Sequence, residues 1–142
     1  MLAATAPYKA GADLSAAATT KPGALTYGSA GIGNSQHLAG ELFKQMGGID
    51  TLHVPYQSGV MGMAAIVSGQ TDYFFSDPSA LPQVRSGKLR ALAVSPPKRS
   101  DTLPDPPPVA ESGRPGYGSC NWHVPPAPPQ TPNLVPPRPA QD

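Results

Sequence analysis

The sequence predicts an α/β domain built on a mainly parallel sheet with helices on its faces. Three observations predict it. Short β-prone runs alternate with helical runs, and glycine stops at Gly47-Gly48, Gly69 and Gly87 close the helical ones. The connections are short, which suits neighbouring parallel strands joined through helices. The turns at 28–35, 55–59 and 76–79 all leave strand carboxyl ends, where ligands sit in such sheets.

Each element has a local cause. Residues 13–20 read as a short alanine-rich helix ended by Lys21-Pro22-Gly23. Leu25–Gly28 is the first β-prone run. From Ser35 to Met46 the apolar set Leu38, Ala39, Leu42, Phe43 and Met46 follows one helix face. Gly47-Gly48 supplies its stop. Thr51–Val54 is a second strand closed by Pro55. Ser58-Gly59 starts a nearly all-apolar helix, Val60–Val67, and a helix apolar all round is expected to be buried. Asp72–Ser76 is a third strand. Asp77-Pro78-Ser79 is a helix start, with Ser79 expected as the cap so that Pro82 falls in the first turn. Gly87 ends that helix, and Leu89–Val94 is a fourth strand, expected in the same mostly parallel sheet.

Composition narrows the partners. A chain of 142 residues suits one domain, and a net charge of +1 suggests neither nucleic acid nor an acidic membrane surface. No apolar run approaches the length that spans a bilayer, so no direct membrane insertion is expected. The opening Met1-Leu2-Ala3-Ala4-Thr5-Ala6 lacks a basic n-region and is not read as an intact signal peptide. A lone cysteine, Cys120, excludes an internal disulfide framework. Of the 20 prolines, 15 fall in residues 96–142, so the foldable part is expected to span about 12–95. The remainder reads as an irregular extension, expected to be irregular from about Pro125 onward. Pro125–Pro129 lacks the basic flank of an SH3-type ligand.

The residues richest in chemistry are Tyr27-Gly28-Ser29-Ala30-Gly31-Ile32-Gly33-Asn34-Ser35-Gln36-His37-Leu38. A strand meets a glycine-rich turn that opens a helix, so free N–H groups and the positive end of the helix dipole converge. The N–H groups of Gly31 to Ser35 are expected to face a shared concave site beside Asp77, with the carboxylate or phosphate at the helix start. The spacing Gly28-x4-Gly33-Asn34-Ser35 is that of a P-loop, but Asn34 stands where the phosphate-binding lysine belongs. The dinucleotide order Gly-x-Gly-x-x-Gly is absent. A tight turn with no ligand is the plain alternative to a small-carboxylate site. Ser35 and His37 lie two apart on a helix and cannot face each other as nucleophile and base. His37, His53 and His123 lack zinc spacing, and neither a metal nor a cofactor is expected. Asp77 is either a helix cap or an acceptor for a ligand hydroxyl or amine. Tyr56-Gln57-Ser58-Gly59 is either cleft lining or a helix-starting loop.

Several blocks together resemble one family. Lys21-Pro22-Gly23-Ala24-Leu25-Thr26-Tyr27 running through the glycine turn to Phe43 is similar to the solute receptors of tripartite tricarboxylate transporters, the Bug or TctC family. So are His53-Val54-Pro55-Tyr56, Ser79-Ala80-Leu81-Pro82 and Gly87–Val94, in the same order and spacing. Lys98-Arg99-Ser100, Leu103-Pro104-Asp105, Val109–Gly113 and Pro115-Gly116-Tyr117 continue the match.

The resemblance implies a periplasmic-binding-protein type II-like fold with two α/β domains and an organic carboxylate held between them. It implies a periplasmic receptor rather than an enzyme, delivering its ligand to membrane permease subunits. Ser29, Gly31, Gly33, Asn34, Ser35 and His37 match the family's second-domain ligand loop, and Asp77 falls near the acidic or amide position after its Phe-rich strand. The family receptor is considerably longer, with a signal peptide and a first ligand-loop domain. This chain therefore reads as a truncated receptor covering mainly the second domain, in three parts: a leading segment 1–23, an α/β ligand-binding domain 24–117 and a proline-rich tail 118–142. A non-binding structural or interaction fragment is the alternative, and a P-loop-like nucleotide binder a distant one. Pro106-Pro107-Pro108 and Arg114 depart from the family pattern, and Val124-Pro125-Pro126 interrupts the strand begun by Asn121-Trp122-His123.

Overall fold

A computed structural model describes residues 1–112 and 114–119 of the chain. In order it contains β1 (Leu2–Ala3), α1 (Gly11–Thr20), β2 (Thr26–Ser29), α2 (Ser35–Gly47), β3 (Leu52–Pro55), α3 (Gly59–Val67), β4 (Tyr73–Phe74), a 3-10 turn (Pro78–Ala80), α4 (Leu81–Arg85) and β5 (Leu89–Arg90). The α/β class expected from the sequence is the one found.

A parallel sheet of order β3-β2-β4 forms the centre. Thr26 to Ser29 run beside Leu52 to Pro55, and Tyr27 and Gly28 beside Tyr73 and Phe74. Asp72 fixes this register from outside the strands. Its carboxylate accepts from the Thr26 N–H at 2.7 Å and the Thr26 hydroxyl at 2.8 Å. The period-2 alternation of β2 then separates two layers. Tyr27 meets α2 on one face, where a Cβ on Gly40 would collide with the Tyr27 ring. Phe74 meets α3 on the other face, where a Cβ on Gly62 would collide with the Phe74 ring. Both glycines are present because an aromatic ring occupies the space of their side chains.

The fourth strand departs from expectation. Only Leu89–Arg90 is strand, and it pairs antiparallel with β1 (Leu2 opposite Arg90, Ala3 opposite Leu89) rather than joining the parallel sheet. The cause is the opening segment, for which the sequence predicts no strand. Leu2 is fully buried, and Met1 exchanges main-chain hydrogen bonds with Phe74 in both directions at 2.8 and 2.9 Å. This places β1 between β4 and β5. The Arg90 guanidinium then ties the opening segment down by donating to the Tyr8 and Ala4 carbonyls, each at 3.1 Å.

Two further expectations are corrected. Helix α3 is not buried all round: Val60 is 76% and Met61 49% exposed, while only Gly62, Ala65 and Ile66 are buried. One face meets the sheet, and among the described residues no layer covers the other. The proline-rich region also begins to pack well before it leaves the described residues. Val94 donates to Pro107 O and accepts from the Val109 N–H, at 3.0 and 2.9 Å. Val109 and Tyr117 share one core with Leu2, Leu14, Ala18, Leu25, Tyr27, Phe43 and Tyr73. The Tyr117 hydroxyl donates to Ala39 O at 3.0 Å, and Arg114 lies 5.5 Å over the Phe43 ring. The foldable part therefore extends past residue 95. The expected irregular tail from Pro125, with Cys120 and Asn121-Trp122-His123, lies outside the described residues.

Candidate functional site

The carboxyl end of β2 delivers Ser29 into a fully enclosed position. Its Oγ lies 2.6 Å from His53 Nε2, 3.1 Å from the Gly31 N–H that donates to it, and 3.0 Å from Gly31 O. The next residues turn sharply, with Gly31 at φ +120° and Gly33 at φ +82°, a region that disfavours L side chains. Asn34 then caps α2, its Oδ1 accepting from the His37 N–H at 2.8 Å.

The loop satisfies much of its own main chain. The Ala30 N–H donates to Gln36 Oε1 at 2.8 Å and the Gly33 N–H to His37 Nδ1 at 3.2 Å. With Gly31 held by Ser29, the expectation that Gly31 to Ser35 all offer free donors is met only in part. The N–H groups of Ile32, Asn34, Ser35 and Gln36 have no hydrogen-bond partner among the described residues.

A polar network supports the loop from below. The His53 ring stacks on Tyr27 with centroids 4.8 Å apart and lies 4.3 Å from the His37 ring. Burial, and then the neighbouring His37, hold the His53 pKa below its ordinary value. The Tyr27 hydroxyl donates to Glu41 Oε1 at 2.6 Å, and Lys44 bridges the same oxygen at 3.1 Å. Burial opposes ionisation of Glu41, but the Tyr27 and Lys44 hydrogen bonds and the Lys44 charge outweigh it, so its pKa is lowered. Burial and the Glu41 contact raise the Tyr27 pKa. His37 and His53 thus come together, yet among the described residues no group of three or more His, Cys, Asp or Glu side chains could hold a metal ion.

Ser35, Gln36 and Asp77 line one cavity of about 270 Å³. Ser76 shares its rim, and Leu14, Phe43, Phe75, Leu81, Leu92 and Val94 form much of its wall. Ser29, Gly31, Gly33, Asn34 and His37 do not line it; they shape the loop behind it. Asp77 caps the 3-10 turn, accepting from the Ser79 N–H at 2.9 Å, while Ala80 takes the N-cap position of α4. Ser79 is therefore not the cap that the sequence suggested: it lies inside the 3-10 turn that Asp77 caps, one residue before the N-cap of α4. Pro82 still falls in the first turn of α4. Tyr56, whose N–H donates to Ser29 O at 2.8 Å, braces the loop rather than lining this cavity.

Sequence reasoning did not assign Gln36 a role. It is only 9% exposed, holds Ala30 and lines the cavity. A glutamine in the first turn of a helix otherwise apolar on its inner face was the available signal. The sequence offers His53 only as a possible metal ligand, without zinc spacing. Its contact with Ser29 depends on the β2–β3 register, which no local pattern encodes.

A family model described as "Tripartite tricarboxylate transporter family receptor" matches residues 1–137. A UPF0065 protein of Bordetella pertussis is 36% identical over 115 residues, covering 80% of this chain and 36% of that protein. The R. palustris protein Rpa4515, solved with adipate, superposes with a TM-score of 0.79 at 33% identity, over 83% of this chain and 40% of that one. MatC of Rhodopseudomonas palustris, solved with bound malate, gives a TM-score of 0.77 at 25% identity, over 82% and 40% respectively. The chain thus spans well under half the length of these relatives.

Proposed function

We propose that this chain, which belongs to the tripartite tricarboxylate transporter receptor family, forms one wall of a solute-binding site and holds the carboxylate of a small organic acid at the start of α2. The observation that carries the reading is the pair of unpartnered N–H groups of Ser35 and Gln36, at the first turn of a 13-residue helix and beside a cavity. Each charge-assisted hydrogen bond contributes about 1.5–3 kcal/mol, and the helix dipole adds to both. Relatives solved with adipate and with malate point the same way.

The seven residues have separate roles in this reading. Ser29, Gly31, Gly33 and His37 hold the loop shape, and Asn34 caps the helix so that its first N–H groups stay in place. Ser35 presents a donor, as does Gln36. Asp77 accepts from a ligand hydroxyl or amine, because its charge opposes a carboxylate set directly against it. The receptor works in the periplasm, passes its ligand to membrane permease subunits and performs no chemistry on it. In this reading the contact between the fully buried Ser29 and His53 is a structural one that holds the loop.

Ser35→Pro tests it. Proline is favoured at the first helical position, and Asn34 already has the extended conformation that precedes proline (φ −75°, ψ 168°). The substitution removes the main-chain donor together with the Ser35 hydroxyl, and Ser35→Ala, which keeps the N–H, separates the two. Carboxylate affinity, followed by amide shifts of Gln36 and His37, is expected to fall about tenfold or more with an unchanged melting temperature. Equal affinity in Ser35→Pro removes the helix start from the site.

A further inference from the structure

We propose that His37 is a proton-operated latch on the glycine turn: as a neutral ring it holds the Gly33 N–H, and on taking up a proton it releases that donor and sets a positive charge beside it. Its effect on ligand affinity rests on the carboxylate reading above.

Two histidines brace the turn, and their hydrogen bonds answer a proton differently. The Gly33 N–H donates to His37 Nδ1 at 3.2 Å. That nitrogen must offer a lone pair, so the neutral ring carries its proton on Nε2. A further proton goes to Nδ1, where a donor then faces a donor and the bond to Gly33 is lost. Ser29 and His53 behave otherwise. The one hydroxyl proton of Ser29 goes to Gly31 O at 3.0 Å, so its oxygen accepts from the Gly31 N–H at 3.1 Å and from His53 Nε2 at 2.6 Å. A His53 ring that donates from Nε2 still donates once protonated. The turn is therefore pinned at Gly31 in either state, and at Gly33 only while His37 is neutral.

The titratable groups around His37 are His53 on β3, Glu41 and Lys44 on α2, and Tyr27 on β2. Burial, and then His37 itself, hold the His53 pKa below its ordinary value, so His53 is the ring of the pair that stays neutral. Glu41 lies one turn along α2 from His37, and its charge favours an imidazolium there. Lys44 opposes it but is bound to Glu41 at 3.1 Å, and Tyr27, whose pKa burial raises, stays uncharged. The positive end of the α2 dipole also opposes a cation in the first turn, an opposition that an anion at the helix start cancels. Proton and anion therefore favour each other. Nothing blocks the release: Gly33 is exposed, with no atom within 4 Å of where a Cβ would stand, so its N–H has room to turn outward beside the unpartnered donors of Ile32, Asn34 and Ser35.

The experiment follows the full chain by NMR, isotopically labelled in the backbone and the histidine rings, from about pH 8 to about pH 5.5, the range in which histidines change charge. It is run alone and with formate, an anion that stays ionised throughout. At the upper end the His37 ring is expected as the Nε2–H tautomer. As His37 takes its proton, the Gly33 amide is expected to shift with the same midpoint, and the Gly31 amide to move far less. Formate affinity, read from the Ser35 and Gln36 amides, is expected to rise about fivefold or more across the range, and saturating formate to raise the His37 midpoint. His37→Gln, a half-buried position given a side chain that does not titrate, is expected to abolish the Gly33 shift and the pH dependence of affinity. An Nδ1–H tautomer at the upper end, or a Gly33 amide that ignores the His37 titration, overturns the latch. Formate affinity with the same pH dependence in His37→Gln as in the parent, with the Ser35 and Gln36 amides shifting, overturns its effect on binding and leaves the carboxylate reading standing. No amide shift with formate at any pH removes the carboxylate reading, and the Gly33 shift then decides the latch alone.

Discussion

Gly33 has φ +82° and no atom within 4 Å of where a Cβ would stand, so a side chain there meets strain rather than a clash. Gly33→Val is expected to lower the unfolding free energy by about 1–2 kcal/mol, with Gly33→Asn milder, as measured by urea denaturation. Gly40 is the opposite case: its φ is ordinary, but the Tyr27 ring fills the space of its side chain. Gly40→Ala is expected to cost about 1–3 kcal/mol through overpacking. His53 sets an acid limit. Its folded pKa lies below its ordinary value of 6.5, so near and below that value the unfolded chain binds more protons than the folded one. Its contribution is therefore full above about pH 6.5 and is lost as the pH falls. Glu41, also lowered, adds a loss at still lower pH. Urea unfolding at pH 7.5 and 5.5 is expected to show a smaller difference in His53→Gln than in the parent chain. An identical difference in both would place the acid sensitivity elsewhere.

Helix α3 shows how one element serves two environments. Ile66 is fully buried against Phe74 and Leu89, whereas Val60 and Val67 are 76% and 42% exposed. Ile66→Ala is expected to cost about 2–5 kcal/mol, and Val60→Lys to fall within about 0.5 kcal/mol of the parent. A large loss in Val60→Lys would mean that its face is covered in solution. Strand β5 shows the converse dependence. Leu89–Val94 is apolar enough for a parallel strand, but the main chain of Met1 occupies the edge of β4, so β5 pairs with β1 instead.

Across the whole molecule, one core joins the opening segment, the sheet and the proline-rich region. Leu2, Tyr27, Phe43 and Tyr117 belong to it, and Phe75 stacks on Tyr117 with centroids 6.3 Å apart. Tyr117→Ala is therefore expected to cost about 3–5 kcal/mol, a core-sized loss, in chemical denaturation. A change within about 0.5 kcal/mol would separate residues 96–119 from the cooperative unit. Prolines in this stretch do not prevent packing, because loop backbone needs few ladder hydrogen bonds and Pro108 is itself fully buried.

Local chemistry in the sequence determined helices α2 and α3 with their stops, the Ser58 start of α3, the strand β2 and the glycine turn. Each depends on residues within a few positions of one another: a 3.6-residue apolar period, a positive-φ glycine, a side chain that bonds an N–H three residues on. Tertiary structure alone decided the rest. The antiparallel place of β1 beside β5, the Ser29–His53 contact and the recruitment of Val109 and Tyr117 each join residues far apart in the chain. It also decided which donors of the turn stay free, because Ser29, Gln36 and His37 compete for them only once the loop has closed. Those choices follow from register and the filling of space, which no short window of sequence contains.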